Sequence, residues 1–389
     1  MEITYEKACL CALNRIFGFE PRIALALITH LGGASEVFNL PSKEMDTLLG
    51  PHSKYQGLIS PGAVEKAYRE LEGLASTGIN FIGCSEYEYP DILKECEDPP
   101  VGLYIRSTSS PEQLWKNKRM ISVVGTRDLS PYGKEWCERI ISNLADISSK
   151  EQLTIVSGLA LGVDICAHSA ALENGLSTIG VMATGPDTVY PTCHRSAAAR
   201  ICEAPDSALI TDYPPGTAPL AIHFLRRNRI IAGLSEATIL IESKIKGGGM
   251  MTARLADSYN RTVYALPGRV EDTRSQGCNF LIKSRIATPI ISISDFMKEL
   301  GIKQCRRSEK PNDAENLKRL YQGNLSDDKI SQMGSILLAI RNERGIMVED
   351  IAAKTGIDYT RVLQLLGMLE TDGIISRDLL QRCFINFVK

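Results

Sequence analysis

Apolar residues fall along this chain in three successive patterns. Up to about residue 75 they recur every three or four positions between breaks at Pro21, Pro41 and Pro61, the spacing of amphipathic helices. Within that stretch Phe17-Gly18-Phe19-Glu20-Pro21 leads into Ile23–Ile28 and then His30-Leu31-Gly32-Gly33. Two short helices about a glycine hairpin read either as a helix-hairpin-helix, whose backbone holds a phosphate, or as a plain helical packing domain. From about Ile79 to Ile293 the pattern alternates. Near-continuous apolar runs at Met120–Val124, Thr154–Val156, Thr178–Ala183, Ala208–Thr211, Ala237–Glu242 and Thr262–Leu266 are separated by helical patterns such as Tyr132–Ala145 and Asp164–Asn174. Strand and helix recurring this way predict an α/β fold with a doubly wound, mostly parallel sheet whose faces are both covered by helices. Lys303–Lys329 is polar and charged, a linker pattern. Beyond it, Ile336–Ile340, Val348–Lys354 and Tyr359–Leu369 read as helices, and Ile374–Ser376 and Cys383–Phe387 as strands, the order of a winged helix-turn-helix.

Composition narrows this little. The chain has 389 residues, 44% hydrophobic and 23% charged, with a net charge of −2, so two or three soluble domains are expected. The local balance differs. From Ile222 to Ile290 eleven Lys and Arg face five Asp and Glu, an excess of six positive charges that is either a solvated basic face or an anion-binding one. The eleven cysteines form no C-x-x-C pair and their number is odd, which argues against a zinc site or a disulfide framework. Met1–Lys7 lacks the pattern of a signal peptide and no apolar run approaches membrane-spanning length, so a cytoplasmic protein away from membranes is expected.

The candidate chemistry centres on Phe224-Leu225-Arg226-Arg227-Asn228-Arg229, which runs into the apolar strand from Ala237. Three arginines within four residues, set among apolar neighbours, call for anionic partners. On a helix Arg226 and Arg229 lie on similar faces with Arg227 turned about 100° away, which leaves one of them free to pair internally. Strand-to-glycine turns at Val124-Gly125-Thr126-Arg127 and Ser157-Gly158, with Gly247-Gly248-Gly249 downstream, offer backbone N–H groups suited to phosphate oxygens. Neither turn fits G-x-G-x-x-G and no G-x-x-x-x-G-K-[ST] occurs, which argues against dinucleotide binding and a P-loop. Asp164 and His168, four apart on one helix, are either an acid–base pair or a cap that orients its own loop. Ser157 is not in a nucleophile elbow, Cys193-His194 reads as incidental, and Asp212-Tyr213-Pro214-Pro215-Gly216 as a rigid turn.

Taken together, Val124–Arg127, Ser157–Ala160 with Gly162-Val163-Asp164, Tyr190-Pro191, Tyr213–Thr217, Arg227–Ser235, Thr252-Ala253 and Pro267-Gly268 resemble the DNA-processing protein A family, DprA or Smf, in order and spacing. Tyr89-Pro90 and Asp98-Pro99-Pro100 resemble its lead-in. The resemblance implies an extended Rossmann-like domain at 76–300, flanked by a helical domain of SAM or helix-hairpin-helix type at 1–75 and, after a linker at 301–329, a winged helix-turn-helix at 330–389. It implies a non-enzymatic, cofactor-free homodimer that binds and protects incoming single-stranded DNA during natural transformation and loads the recombinase RecA. The residues expected at the DNA are Gly125, Thr126, Arg127, Ser157, Gly158, Leu159, Ala160, Gly185, Arg226, Arg227, Asn228, Arg229, Gly247, Gly248, Gly249 and Thr252. In some members a basic residue just before the Thr-Ile strand contributes; here it is Ser177, and Leu161 stands where the family has arginine. The rival reading is a Rossmann-type nucleoside monophosphate hydrolase with a Gly-Gly-Gly loop, but no glutamate follows Gly249-Met250-Met251-Thr252 closely. A transcriptional regulator acting through the winged helix is weaker, since residues 330–389 carry seven basic and seven acidic side chains.

Overall fold

The structure, a computed structural model, describes residues 3–50, 52–55, 57–147, 153–302, 317, 320–321, 325–343, 345–378 and 381–385. It divides into two compact units, Met1–Lys303 and Gln304–Lys389. The first unit opens with five helices: α1 (Tyr5–Phe17), α2 (Pro21–Leu31), α3 (Ala34–Asn39), α4 (Ser42–Leu49) and α5 (Pro61–Ala75). Pro21 and Pro61 do not interrupt helices but begin them, at the first-turn position where a missing N–H costs nothing. Gly32 takes the left-handed conformation (φ 89°) that closes α2.

A nine-stranded sheet follows. Its strands are β1 (Ile79–Gly83), β2 (Gly102–Arg106), β3 (Arg119–Val124), β4 (Leu153–Ser157), β5 (Ser177–Val181), β6 (Ala208–Thr211), β7 (Ala237–Leu240), β8 (Thr262–Ala265) and β9 (Thr288–Pro289). The order across the sheet is β1-β2-β6-β5-β4-β3-β7-β8-β9. Pairing is parallel from β6 to β9 and antiparallel at β2–β6 and β1–β2. The six strands read from the apolar runs are β3 to β8. The antiparallel pair β1 and β2, ending where Gly83 faces Gly102, carried no comparable signal.

Helices α6 (Asp91–Lys94), α7 (Pro111–Trp115), α8 (Pro131–Ile147), α9 (Val163–Glu173), α10 (Arg195–Glu203), α11 (Ala221–Gly233), α12 (Gly248–Ser258), α13 (Gln276–Lys283) and α14 (Ile293–Glu299) complete the unit. Alternate residues of β3 serve opposite faces. Met120 and Val124 join Ile230, Ile231, Leu234 and Met250 from α11 to α12, whereas Ile121 and Val123 join Ile140, Ile141 and Leu144 of α8. That division is the physical meaning of an apolar strand without alternation. The N-terminal helices share a core with the sheet edge, since Leu10, Leu13 and Phe17 pack with Phe81 and Tyr104. Buried Asn14 reinforces the join, donating to the Asp212 carbonyl at 2.8 Å and accepting from the Gly102 N–H at 3.2 Å.

The second unit holds α15 (Asp327–Asn342), β10 (Ile346–Met347), α16 (Val348–Thr355), α17 (Tyr359–Thr371), β11 (Ile375–Arg377) and β12 (Arg382–Ile385). Its three strands pair antiparallel in the order β10-β12-β11 over a core that includes Ile336, Ile351, Leu365 and Leu366. The linker expected at 301–329 lies largely outside the described residues, as do Asn386 and Phe387 of the last expected strand.

Candidate nucleic-acid interface

Parallel strands deliver their following turns to one edge of the sheet. Chain order reverses between β3 and β7, the switch point where open α/β sheets leave a crevice. There Gly125 is wedged between two helix starts. A Cβ on it would lie 2.5 Å from Val163 of α9, and one on Gly249 of α12 would lie 3.0 Å from the Gly125 Cα. The Ser157–Gly162 turn packs against the same strand. Ser157 Oγ donates to the Val123 carbonyl at 2.6 Å, and Gly162 holds φ 79° with its Cα hydrogens facing the Thr126 carbonyl, 2.2 Å from where a Cβ would stand. Among the described residues no protein group accepts from the backbone N–H of Arg127, Leu161, Gly162 or Gly248, and all four residues are at least partly exposed. Gly162 caps and Gly248 begins a helix of eleven residues, and the N-terminal dipoles of the two favour an anion.

The arginines separate. Arg127 is exposed, its guanidinium 5.2 Å from the centre of the Phe224 ring. Arg226 is half-buried, lying 4.5 Å over the Phe19 ring and donating to the Gly18 carbonyl at 2.8 Å. Arg227 and Arg229 turn inward. Arg227, 3% exposed, donates to the carbonyls of Gly158 and Val181 and so ties the turn after β4 to the end of β5. Burial pushes its pKa down to about 10 against the pull of Asp164. Gly158 lacks a Cβ because one would sit 2.5 Å from this guanidinium. Arg229, 6% exposed, pairs with Asp212 at 2.5 Å and also donates to the Asp98 carbonyl. The similar faces expected of Arg226 and Arg229 therefore do not give two surface charges: one turn along α11 the helix passes under the Asp98 segment, and Arg229 is covered.

Other expected residues are held in the frame. Gly185 is buried, its N–H given to Thr217 at 3.2 Å, so it presents no free donor. Thr252 and Asn228 are buried, at 2% and 8% exposure. Leu159 is buried with φ 60°, and Ala160 donates to Asp164 at 3.3 Å. Asp164 thus caps its own loop, its pKa raised by burial and lowered in part by Arg227. His168 faces elsewhere, meeting Thr178 at 2.7 Å, and burial pushes its pKa down to about 3. The two form no acid–base pair. Ser177 stands at the first residue of β5, opposite Thr154, four residues from the edge where the turns gather. At about 3.3 Å per residue its backbone is about 13 Å from that edge.

Sequence reasoning missed three positioning groups. His194 Nδ1 donates to the Leu159 carbonyl at 2.9 Å and fixes the turn after β4; its sequence neighbour Cys193 gave no hint of a partner 35 residues upstream. Buried Glu242 accepts from the Ser130 N–H at 3.0 Å at the start of α8, so the acid before the glycine triplet is already engaged. Glu6 takes the N–H groups of Ala34 at 2.6 Å and Ser35 at 2.8 Å, so the donors after the Gly32-Gly33 hairpin already hold the protein's own carboxylate.

The profile of the family described as DNA recombination-mediator protein A matches residues 80–301, the stretch holding the glycine turns of the sheet edge and α11. The chain belongs to that family, DprA or Smf. The DprA of Bacillus subtilis is 32% identical over 304 residues, 77% of this chain and 96% of that protein. The DprA of Streptococcus pneumoniae is 35% identical over 244 residues, covering 62% and 83%. The X-ray structure of the pneumococcal DprA superposes with a TM-score of 0.62 at 30% identity, covering 77% of this chain and 99% of that one. The DprA of Helicobacter pylori, solved for its single-stranded DNA binding mode, gives a TM-score of 0.50 at 29% identity, covering 57% and 95%. No helix among the described residues is long and apolar enough to cross a membrane.

Proposed function

We propose that this DprA family member is a cytoplasmic recombination mediator that binds single-stranded DNA, protects it during natural transformation and loads RecA onto it as a homodimer. The observation that carries the reading is the crevice at the β3–β7 switch point. There, exposed Arg127 stands beside N–H groups with no described acceptor and two helix N-termini. Such a cradle suits backbone phosphates and reads no base. The strand-binding mode described for the Helicobacter pylori relative supports it. Gly125, Thr126, Arg127, the Leu161-Gly162 end of the turn after β4 and Gly247-Gly248 form the cradle in this reading, with Arg226 adding charge, while Ser157–Ala160, Gly249, Arg227, Arg229, Asn228, Gly185 and Thr252 hold its frame. The helical part at 1–75 packs on the Rossmann-like part at 76–300. Of the stretch expected as a linker at 301–329, Leu317 and Tyr321 are buried in the core of the last domain and Asp327 begins α15, so that domain starts before residue 330. The helix and strand order of that last domain supports a winged helix-turn-helix. A nucleoside monophosphate hydrolase is not favoured, because Glu242 and Asp164 are both engaged in holding the fold.

Titration of labelled single-stranded and duplex oligonucleotides against salt tests this. Three to five phosphate contacts give a slope of log K against log salt of roughly −2 to −3.5 for a single strand, at about −0.7 per contact. A flat profile, or tighter binding of duplex, overturns the cradle. Strand exchange with the cognate RecA and a single-strand coating protein tests loading: no stimulation refutes it.

A further inference from the structure

Beside the cradle, α11 exposes an apolar ridge. Ile222 and Leu225 remain 48% and 42% exposed. At about 100° per residue they sit between Phe224 on one flank and Arg226 on the other. Each flank ends in an arginine stacked on a phenylalanine. On one side Phe224 lies beneath Arg127 and meets Tyr190 edge-on, ring centres 5.6 Å apart, with Tyr190 45% exposed. On the other, Arg226 lies over Phe19, which comes from the turn between α1 and α2 and is 51% exposed. Single exposed apolar side chains need no explanation, but four gathered about one face of a helix and flanked by two cations do.

Arg127 belongs both to the cradle and to the first stack. Placed 5.2 Å over the centre of the Phe224 ring, its exposed guanidinium can still donate to a phosphate oxygen. The nucleotide whose phosphate it binds then has its base within reach of Tyr190. Unpaired bases offer π-faces to aromatic rings in any sequence, whereas a duplex hides those faces inside.

We propose, on the basis of the single-strand reading above, that the bases of a bound strand stack along this track. It runs from Tyr190 and Phe224 across Ile222 and Leu225 to Phe19, so the N-terminal helices take part in binding through Phe19. The cradle fixes the backbone and the track engages the bases without reading them. The preference for single strands then comes from the bases as well as from backbone flexibility.

The test compares a thymidine homo-oligomer with an abasic oligomer of equal length, which has the same phosphates and no bases. The parent protein should bind the abasic strand at least about tenfold more weakly, since each stacked base contributes on the order of a fivefold or larger gain. Tyr190→Leu and Phe19→Leu keep apolar bulk and remove the π-face. Each should weaken thymidine binding about fivefold or more, leave abasic binding unchanged and leave the salt slope as in the parent. Arg127→Ala should weaken both strands. Equal affinity of the parent protein for the two oligomers overturns the track while leaving the cradle intact, and assigns the ridge to a protein partner instead. Equal losses on both strands in the leucine variants overturn it as well. If neither strand binds, the single-strand function falls and the track with it.

Discussion

Arg127 and Arg229 carry the same charge near the same crevice, and their removal should fail in opposite ways. Arg229 is 6% exposed and Asp212 5% exposed, 2.5 Å apart. Asp212 Oδ1 already has no partner among the described residues. In Arg229→Met the carboxylate stays buried without its cation, a loss of about 3–5 kcal/mol. For a unit of this size about 2–3 °C accompanies each kcal/mol, so the melting temperature should fall by roughly 6–15 °C. Measured well below that midpoint, single-strand affinity should be nearly that of the parent. The double variant Arg229→Met, Asp212→Leu removes the orphaned charge too and should recover much of the loss. Arg127→Ala reverses the pattern. Its stack on Phe224 is exposed and contributes about 0.5–1 kcal/mol to stability, so melting should shift by no more than about 3 °C. A charge-assisted hydrogen bond to a phosphate contributes about 1.5–3 kcal/mol, so binding should weaken about ten- to a hundredfold, with a salt slope shallower by about 0.7. Thermal melts and fluorescence-anisotropy titrations on the same preparations decide it. An Arg229→Met protein that melts like the parent but binds more than about tenfold more weakly would refute the inward assignment.

Three further outcomes are expected. Burial holds His168 neutral down to a pKa of about 3 against an ordinary value of 6.5, so the unfolded chain takes up a proton first as acid is added. The stability it contributes is complete above pH 6.5 and declines toward pH 3, by about 2 kcal/mol at pH 5; the melting curve of His168→Gln should depend less steeply on pH over that window, and parallel curves would contradict this. Ser177→Lys, at the far end of β5, should leave single-strand affinity within about twofold, the size of effect a charge beyond a Debye length produces; a clear gain would place the strand across the opposite edge of the sheet. A protein ending at Lys303, the boundary of the first compact unit, should keep most single-strand affinity, and a loss of more than about tenfold would make the C-terminal unit a principal DNA surface.

The strands β3 to β8 and the glycine turns were legible because each depends on a local pattern. An unbroken apolar run marks a strand covered on both faces, and a glycine after it marks a backbone approach that a Cβ would block, as at Gly158 and Gly162. The edge pair β1 and β2 was not legible, since its antiparallel pairing is made only between the two strands and with β6, far away in the chain. Order and spacing of the motifs were enough to place the chain in the DprA family. They could not say which arginine meets solvent, because that depends on which distant segment covers α11. Asp212 and the Asp98 carbonyl claim Arg229, the Gly158 and Val181 carbonyls claim Arg227, Arg226 is half-buried over Phe19, and Arg127 is left exposed. Nor could they show that Glu6 fills the glycine hairpin or that residues 19, 190 and 224 surround one ridge. Periodicity decides which face of an element is buried, because it is a property of neighbours in the chain. The partner of a buried charge is chosen by packing between elements far apart in sequence, and only the folded chain brings those together.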